Sequence, residues 1–491
     1  MLPIAIILTL FAAAALCLIF KADPAVKLIA VAAHAAAFVL SLVMMHAAAA
    51  EPISVILGAE PWNFYVLVTP LDAFMAALFT GVGLFIVWAS AGMIGHDIDA
   101  PRLPAYYALM CALVATLCGV VVFENFVNVF LLVEASSFAA AGLVIIKNKP
   151  ENLKAGLKYL SLSILGSSFI LMGIIILYFI TDALSITGIY ASLSHNLAGN
   201  EDSVRNALIF ITVGTALKSA LFPLHIWLPD AHSTAPAPSS AILSGLVLKA
   251  YIFLYIKILH KAIGADILLN DHVLSTILGA VMITGATAMI AGSVMALLQT
   301  DIKRLIAYSS VSQIGYIFMG IGMGTQLGLF AAMFHILAHA VTKPVLFLSA
   351  GSIVEQTHNR DIEKMSGLWA RMRVTMALFT TGALSMIGIP LFMGFNSKWV
   401  FAAGIIDSQH YWLLGVLAFS ALLNGSYYLP IVFRAIFGKF NTEDELADQS
   451  APERPLKELA PVICLASLII IFALFSGPVT SYILIGISSI W

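Results

Sequence analysis

The sequence predicts an all-α polytopic membrane protein of about fourteen spanning helices. Three observations carry that expectation. Of 491 residues, 61% are hydrophobic and only 10% are charged, well outside the range of soluble domains. Apolar runs long enough to cross about 30 Å of hydrocarbon recur along the whole chain. The charges are also segregated: of the 24 Lys and Arg, all but four fall in the connections or at the ends of apolar runs.

In order, the runs lie near 2–20, 27–47, 72–94, 104–123, 126–146, 157–180, 206–228, 239–260, 273–298, 304–324, 327–350, 373–405, 411–437 and 459–490. The first has no basic segment before it and is followed by many others, so it reads as a helix and not as a cleaved signal. Two runs are interrupted. The seventh holds Pro223, with Pro229 just beyond; the twelfth holds Gly388, Pro390 and Gly394. Proline removes a backbone donor and clashes with the preceding turn, so both are expected to be broken helices. A broken helix inside a membrane must face protein or a water-filled cavity.

The connections alternate in charge. Odd-numbered ones carry seventeen Lys and Arg, among them Lys147, Lys149, Lys154, Lys158, Lys303, Arg304, Arg360, Arg371 and Arg434. Even-numbered ones carry three, Arg205, Lys257 and Lys261. The positive-inside rule then places the basic loops in the cytoplasm and both termini outside, in a cell membrane. Asp72 and Glu124 stand at run ends and read as interfacial, and Lys303 and Arg304 as topology anchors. The longest polar stretch, about 438–458, is acidic (Glu443, Asp444, Glu445, Asp448) and reads as a cytoplasmic loop. A net charge near −2 argues against nucleic acid. Cys17, Cys111, Cys118 and Cys464 show neither pairing nor metal spacing, so no disulfide, cluster or metal site is expected.

The informative residues are the charges inside the runs: Glu134, Lys218, Lys249, Lys343 and Lys398. A lysine near the bilayer centre costs about 2.5–3.5 kcal/mol, whereas one Leu or Ile returns only about 0.3–0.6 kcal/mol. Such residues mark ion or proton pathways by default. His335, His339 and Lys343 are spaced i, i+4, i+8 and share one helical face. Two imidazoles and an amine in a stripe suit a proton relay. His225 and His232 flank the break of the seventh run as possible entry residues; with no third ligand at suitable spacing they do not read as a zinc site. Each has a plainer alternative: a helix-pairing ion pair for Glu134 and Lys218, interhelical hydrogen bonding for His335 and His339, loop anchoring for His225 and His232.

Four stretches in order, LFPLHIWLPDAHSTAPAPSSAILSG, DIKRLIAYSSVSQIGY, FHILAHAVTKPVLFL and GIPLFMGFNSKW, resemble the antiporter-like subunits shared by complex I, the Mrp-type cation/proton antiporters and the energy-converting membrane-bound hydrogenases. The resemblance covers about residues 105–437. It implies fourteen helices: an N-terminal three over 1–103, two inverted five-helix repeats (spans 4–8 over 104–260 and spans 9–13 over 273–437), then a cytoplasmic loop and a last helix over 438–491. Spans 7 and 12 would be the broken ones. It also implies roles: Glu134 paired with Lys218, Lys249 as the central residue, His335, His339 and Lys343 as a relay, and Lys398 as the exit. Lys398 resembles the Mrp D subunit, GFNSKW leans to the hydrogenase type, and the chain is expected to lack the lateral helix of the largest complex I paralogue and the extra C-terminal domains of the Mrp A subunit.

The expected function is therefore that of a proton-translocating subunit of a multisubunit cation/proton antiporter, Mrp D-like, or of a related membrane-bound hydrogenase. When Glu134 engages Lys218 the amine keeps its proton; when the pair opens, the proton passes to Lys249. The alternatives are the pump subunit of a complex I-type oxidoreductase and a non-transporting scaffold. No flavin, nucleotide or cluster motif is present, so no cofactor is expected in this chain, and any redox catalysis would sit in partner subunits. A lysine-lined path repels Na⁺, which would more plausibly cross a neighbouring subunit.

Overall fold

The computed structural model describes residues 1–58, 64–438 and 452–491. Eighteen α-helices and one β-hairpin make up these residues. The chain opens with α1 (Leu2–Ile19), α2 (Asp23–Ala50), β1 (Ile53–Leu57), β2 (Phe64–Val68), α3 (Pro70–Met93), α4 (Leu103–Val122), α5 (Phe126–Ile145) and α6 (Pro150–Thr181). Then come α7 (Ile186–Asn196), α8 (Glu201–Ser219), α9 (Leu228–Thr234), a long α10 (Ala237–Asn270) and α11 (His272–Leu297). The remainder is α12 (Ile302–Gly322), α13 (Gln326–Thr357), α14 (Arg373–Ile387), α15 (Met393–Asp407), α16 (Trp412–Phe437), α17 (Leu456–Leu474) and α18 (Ser476–Ser488).

Twelve of these helices are long and apolar enough to cross a membrane, so the protein is a multi-pass membrane protein. The two expected runs outside that set are the interrupted ones. The seventh is helical only to Ser219, and residues 220–227 form an irregular break before α9. The twelfth splits at Gly388–Phe392 into α14 and α15. Both breaks lie where proline and glycine placed them. The last run, expected as one helix over 459–490, is instead two, α17 and α18.

Two features escaped the apolar-run reading. The connection at 48–71 holds the antiparallel hairpin β1–β2, with Ile53 opposite Val68 and Leu57 opposite Phe64. The connection after α6 holds the short amphipathic α7. The acidic segment expected as a loop lies mostly outside the described residues.

Alternate connections gather at opposite ends of the bundle. At one end the Glu124 amide donates to the Tyr65 carbonyl (2.9 Å) and the Ile186 amide to the Glu124 carbonyl (3.0 Å), joining the hairpin, the α4–α5 link and α7. At the other end Lys158 and Arg304 both hold Asp230 at 2.7 Å, and Arg360 donates to the Ser233 carbonyl (3.0 Å). Lys147 pairs there with Asp97, and Arg454 with Glu355 and Glu458. The basic connections thus share one end, as the alternation of charge required. The core runs through α10, α12 and α13, whose apolar side chains are almost entirely covered by the surrounding helices.

Candidate functional site: a chain of buried lysines and histidines

α8 carries Lys218 one residue from its end. Beyond it Ala220 turns into the left-handed region (φ +56°), and Trp227 folds back to donate its indole N–H to the Leu217 carbonyl (2.9 Å). The break thus satisfies the Ala216 carbonyl, through the Leu221 amide (2.9 Å), and the Leu217 carbonyl, through the indole. The Lys218 amine donates to Ser137 Oγ on α5 (2.7 Å) and Ser163 Oγ on α6 (3.0 Å), and sits over the Tyr251 ring of α10 (4.7 Å). The expected contact with Glu134 is not closed. Glu134 acts on Lys218 through its charge but forms no ion pair with it, and its Oε1 is buried without a partner. Glu134 is itself only partly buried, between the exposed Leu131 and Phe138 on the outer face of α5.

α10 is not a regular helix. Residues Leu243–Val247 and Ile258–Gly264 are π-helical. A π turn offsets the hydrogen-bond ladder and is common at functional sites. The fully buried Lys249 amine donates to the Ser244 carbonyl within the first of these turns. Beside it Gly245 crosses α13 so closely that a Cβ would lie 2.9 Å from Pro344 Cγ. Pro344 follows Lys343, whose amine donates to Ser309 Oγ (2.6 Å) and the Ile306 carbonyl (2.9 Å) of α12. The π turn and the intrahelical proline thus meet where the two lysines approach.

On α13, His335 and His339 stack with ring centroids 6.2 Å apart, as the i, i+4 spacing required. His335 Nδ1 bonds Ser397 Oγ of α15 (2.7 Å), and its ring stacks on Tyr316 (5.2 Å). Both His339 nitrogens are buried without a partner. The charges of Lys249 and Lys343 act on His339, and that of Lys398 on His335. Lys398, 8% exposed, donates to the Met386 (2.9 Å) and Ile387 (2.5 Å) carbonyls at the broken end of α14. Gly388 takes φ +90° there, a conformation that L side chains rarely adopt, and abuts the lysine stem.

His225 and His232 are both enclosed. His225 packs between Phe222 (5.4 Å) and Tyr308 (6.0 Å). His232 is fully buried against Phe347, with neither nitrogen partnered. Among the described residues, Lys218, Lys249, Lys343 and Lys398 form no ion pair with any carboxylate; their partners are hydroxyls, carbonyls and aromatic faces. Among those residues, too, no group of three metal-ligating side chains converges.

Three assignments need correction. Asp72 and Glu124 are not interfacial but buried, at 1% and 0% exposure. Lys257, counted as a loop charge, is buried with them: its amine lies 3.4 Å from Asp72 and 3.5 Å from Glu124, and Lys261 lies 2.5 Å from Glu124. Lys303 is not a surface anchor; it is buried, donating to the Ala235 carbonyl (2.9 Å). The available signal was opposite charge at run ends that share one end of the bundle.

Residues 123–424 match the family described as NADH:quinone oxidoreductase/Mrp antiporter, transmembrane. The chain belongs to this family. Among its relatives, NADH-quinone oxidoreductase subunit N of Desulforudis audaxviator is 32% identical over 86% of this chain and 84% of its own length. The A subunit of the Na(+)/H(+) antiporter of Alkalihalophilus pseudofirmus is 30% identical over 84% of this chain but 54% of its own. The chain thus spans about half the length of that relative. Two solved structures share the fold. The archaeal membrane-bound sulfane sulfur reductase has a TM-score of 0.89 at 24% identity, covering 99% of this chain and 97% of its own. The Mrp complex from Dietzia sp. DQ12-45-1b has a TM-score of 0.88 at 20% identity, covering 100% of this chain and 97% of its own.

Proposed function

We propose that this chain is the proton-translocating subunit of a multisubunit cation/proton antiporter, or of a related membrane-bound hydrogenase, with other membrane subunits as its partners. One observation carries the reading: four buried amines without carboxylate partners run along α8, α10, α13 and α15, with two histidines between them. A buried ammonium lacking a counter-ion is held by dipoles alone, so it can lose and regain its proton where a salt-bridged one cannot. Fourteen spans, with spans 4–8 and 9–13 as two inverted five-helix repeats, are supported by the twelve regular spans and the two breaks five spans apart; both termini are read as outside from the charge alternation alone.

In this reading a proton enters from the cytoplasm past His225 and His232 and reaches Lys218. It moves to Lys249, along Lys343, His339 and His335, and leaves through Lys398. Water bridges the gaps too long for direct hydrogen bonds. Glu134, on the outer face of α5, couples Lys218 to a neighbouring subunit: engaged, it holds the proton on Lys218; open, as found here, it releases it. Na⁺ crosses a neighbouring subunit, because an amine-lined path repels cations. The experiment is proton flux in vesicles carrying the complete complex. Glu134→Gln abolishes coupled flux and leaves assembly intact; unchanged flux in that variant would sink the mechanism.

A second reading, a pump subunit of a complex I-type oxidoreductase, is favoured by the near full-length match to a subunit N. Co-purification in mild detergent with an iron assay separates the two. Iron–sulfur partners support the redox-driven pump, and small hydrophobic partners without metal support the antiporter.

A further inference from the structure

α12 and α13 follow one another across a short turn and run antiparallel, and three contacts fix their register. A Cβ on Gly320 would lie 3.1 Å from Ala332 Cβ, Tyr316 stacks on His335 at 5.2 Å, and Ser309 Oγ accepts from the Lys343 amine at 2.6 Å. On α12 these positions are spaced i, i+7, i+11 and share one face, and Gln313, at i+4, completes the stripe. On α13 the facing stripe is Ala332, His335, His339 and Lys343. With Ser309 level with Lys343 and Tyr316 level with His335, Gln313 is level with His339.

Unmet hydrogen-bonding capacity gathers at that level. Gln313 and His339 are both buried, at 0% exposure. Among the described residues, neither Gln313 Oε1 nor Nε2 has a partner, and neither His339 nitrogen has one. Lys343 spends two of its three N–H groups, on Ser309 Oγ and the Ile306 carbonyl (2.9 Å), and among the described residues the third has no acceptor. Ser309 and Gln313 stand one turn apart on α12, as Lys343 and His339 do on α13, so these donors and acceptors face one another across a single helix pair. The nearby hydroxyls of α12 are already engaged: Ser309 with Tyr428 (2.8 Å), Ser310 with Ser244 (3.1 Å) and Ser312 with Ser293 (2.8 Å). A buried carboxamide without partners is costly, and protein interiors meet such a group with another polar group or an ordered water. With the neighbouring side chains engaged elsewhere, a water is the species that fits, and it finds here the two to four polar partners it needs.

We propose that Gln313 is a positioning residue that holds an ordered water between Lys343 and His339. A carboxamide suits the task. It donates through Nε2 and accepts through Oε1, so it holds the water in either orientation, and it does not itself titrate. In the transfer the water gives one proton to a His339 nitrogen as it takes one from the Lys343 ammonium. The products are an imidazolium, a neutral amine and an intact water. The proposed path crosses His339, which makes no direct hydrogen bond to Lys343 or to His335, so flux along it requires such a bridge.

The role of Gln313 rests on the proposed proton transport, so the complete complex is read in two ways: by a cryo-electron microscopy map that resolves waters, and by proton flux in vesicles. The wild-type map shows ordered density about 2.7–3.2 Å from both the Gln313 amide and a His339 nitrogen. A map without it overturns the proposal whatever the flux. Gln313→Met keeps the length and bulk of the side chain and removes both amide atoms. Its assembly and melting temperature stay near wild type, the density disappears, and flux falls about tenfold or more. Wild-type flux in Gln313→Met, with flux abolished by Lys218→Ala, overturns the positioning role alone. A lowered melting temperature with unchanged flux per assembled complex marks Gln313 as a packing residue and overturns it too. Flux retained by Lys218→Ala overturns the transport reading itself, and the water site is then decided by the map. If Gln313→Met does not assemble, the wild-type map decides.

Discussion

Lys257 and Lys249 lie on one helix, eight residues apart, and both are buried, yet removing their charges should have opposite consequences. Lys257 faces two carboxylates, at 3.4 and 3.5 Å, and donates to two carbonyls of the α4–α5 corner. Lys257→Met keeps the stem and deletes the cation, which leaves Asp72 and Glu124 with Lys261 alone. One uncompensated buried charge of this kind costs about 3–5 kcal/mol. Among the described residues, Lys249 has only the Ser244 carbonyl as partner. Lys249→Met removes an ammonium that nothing compensates, so stability should change by less than about 1 kcal/mol, in either direction. Thermal unfolding in mild detergent reads the contrast, followed by a thiol-reactive dye that reports exposure of the buried Cys17, Cys111 and Cys118. Lys257→Met melts several degrees lower; Lys249→Met melts with the wild type but carries no proton flux. Equal destabilisation by both, or wild-type stability of Lys257→Met, would refute the distinction between paired and unpaired lysines.

Three further outcomes follow from single contacts. Among the described residues His339 bonds nothing through either nitrogen, so His339→Leu should leave the melting temperature unchanged or slightly raised while flux drops about tenfold if the imidazole relays protons. Gly388→Ala places a side chain at φ +90° against the Lys398 stem, which should cost at least about 1 kcal/mol, read by thermal melting. Asp230 holds Lys158 and Arg304 in a part-exposed setting, so Asp230→Asn should cost no more than about 1 kcal/mol, less in high salt, with assembly unaffected.

Much of the architecture was legible because the bilayer imposes simple requirements. A run of twenty apolar residues has few alternatives to a spanning helix, and Pro223, Gly388 and Pro390 announce breaks through steric clash and a missing donor. The i, i+4, i+8 spacing put His335, His339 and Lys343 on one face, where they are. What escaped depends on tertiary pairing. ISVIL and FYVLV have the β-branched and aromatic character of strands, but hydropathy counting absorbs them into a loop. The π turns of α10 leave no mark in the sequence and become apparent only where α10 crosses Pro344 and the α4–α5 corner. Asp72, Glu124 and Lys257 were misplaced because each stands at a run end, where a single charge normally meets water; brought together by topology, they neutralise one another in the interior.

The most direct test of the central claim is proton flux through the complete complex with Lys218→Arg. Arginine can keep the positive charge and donate to Ser137 and Ser163, but it cannot release its proton at any accessible pH. Assembly and stability near wild type with flux abolished is the predicted result. Wild-type flux in Lys218→Arg would contradict the account, because the buried amine would then serve only to hold α8 against α5 and α6.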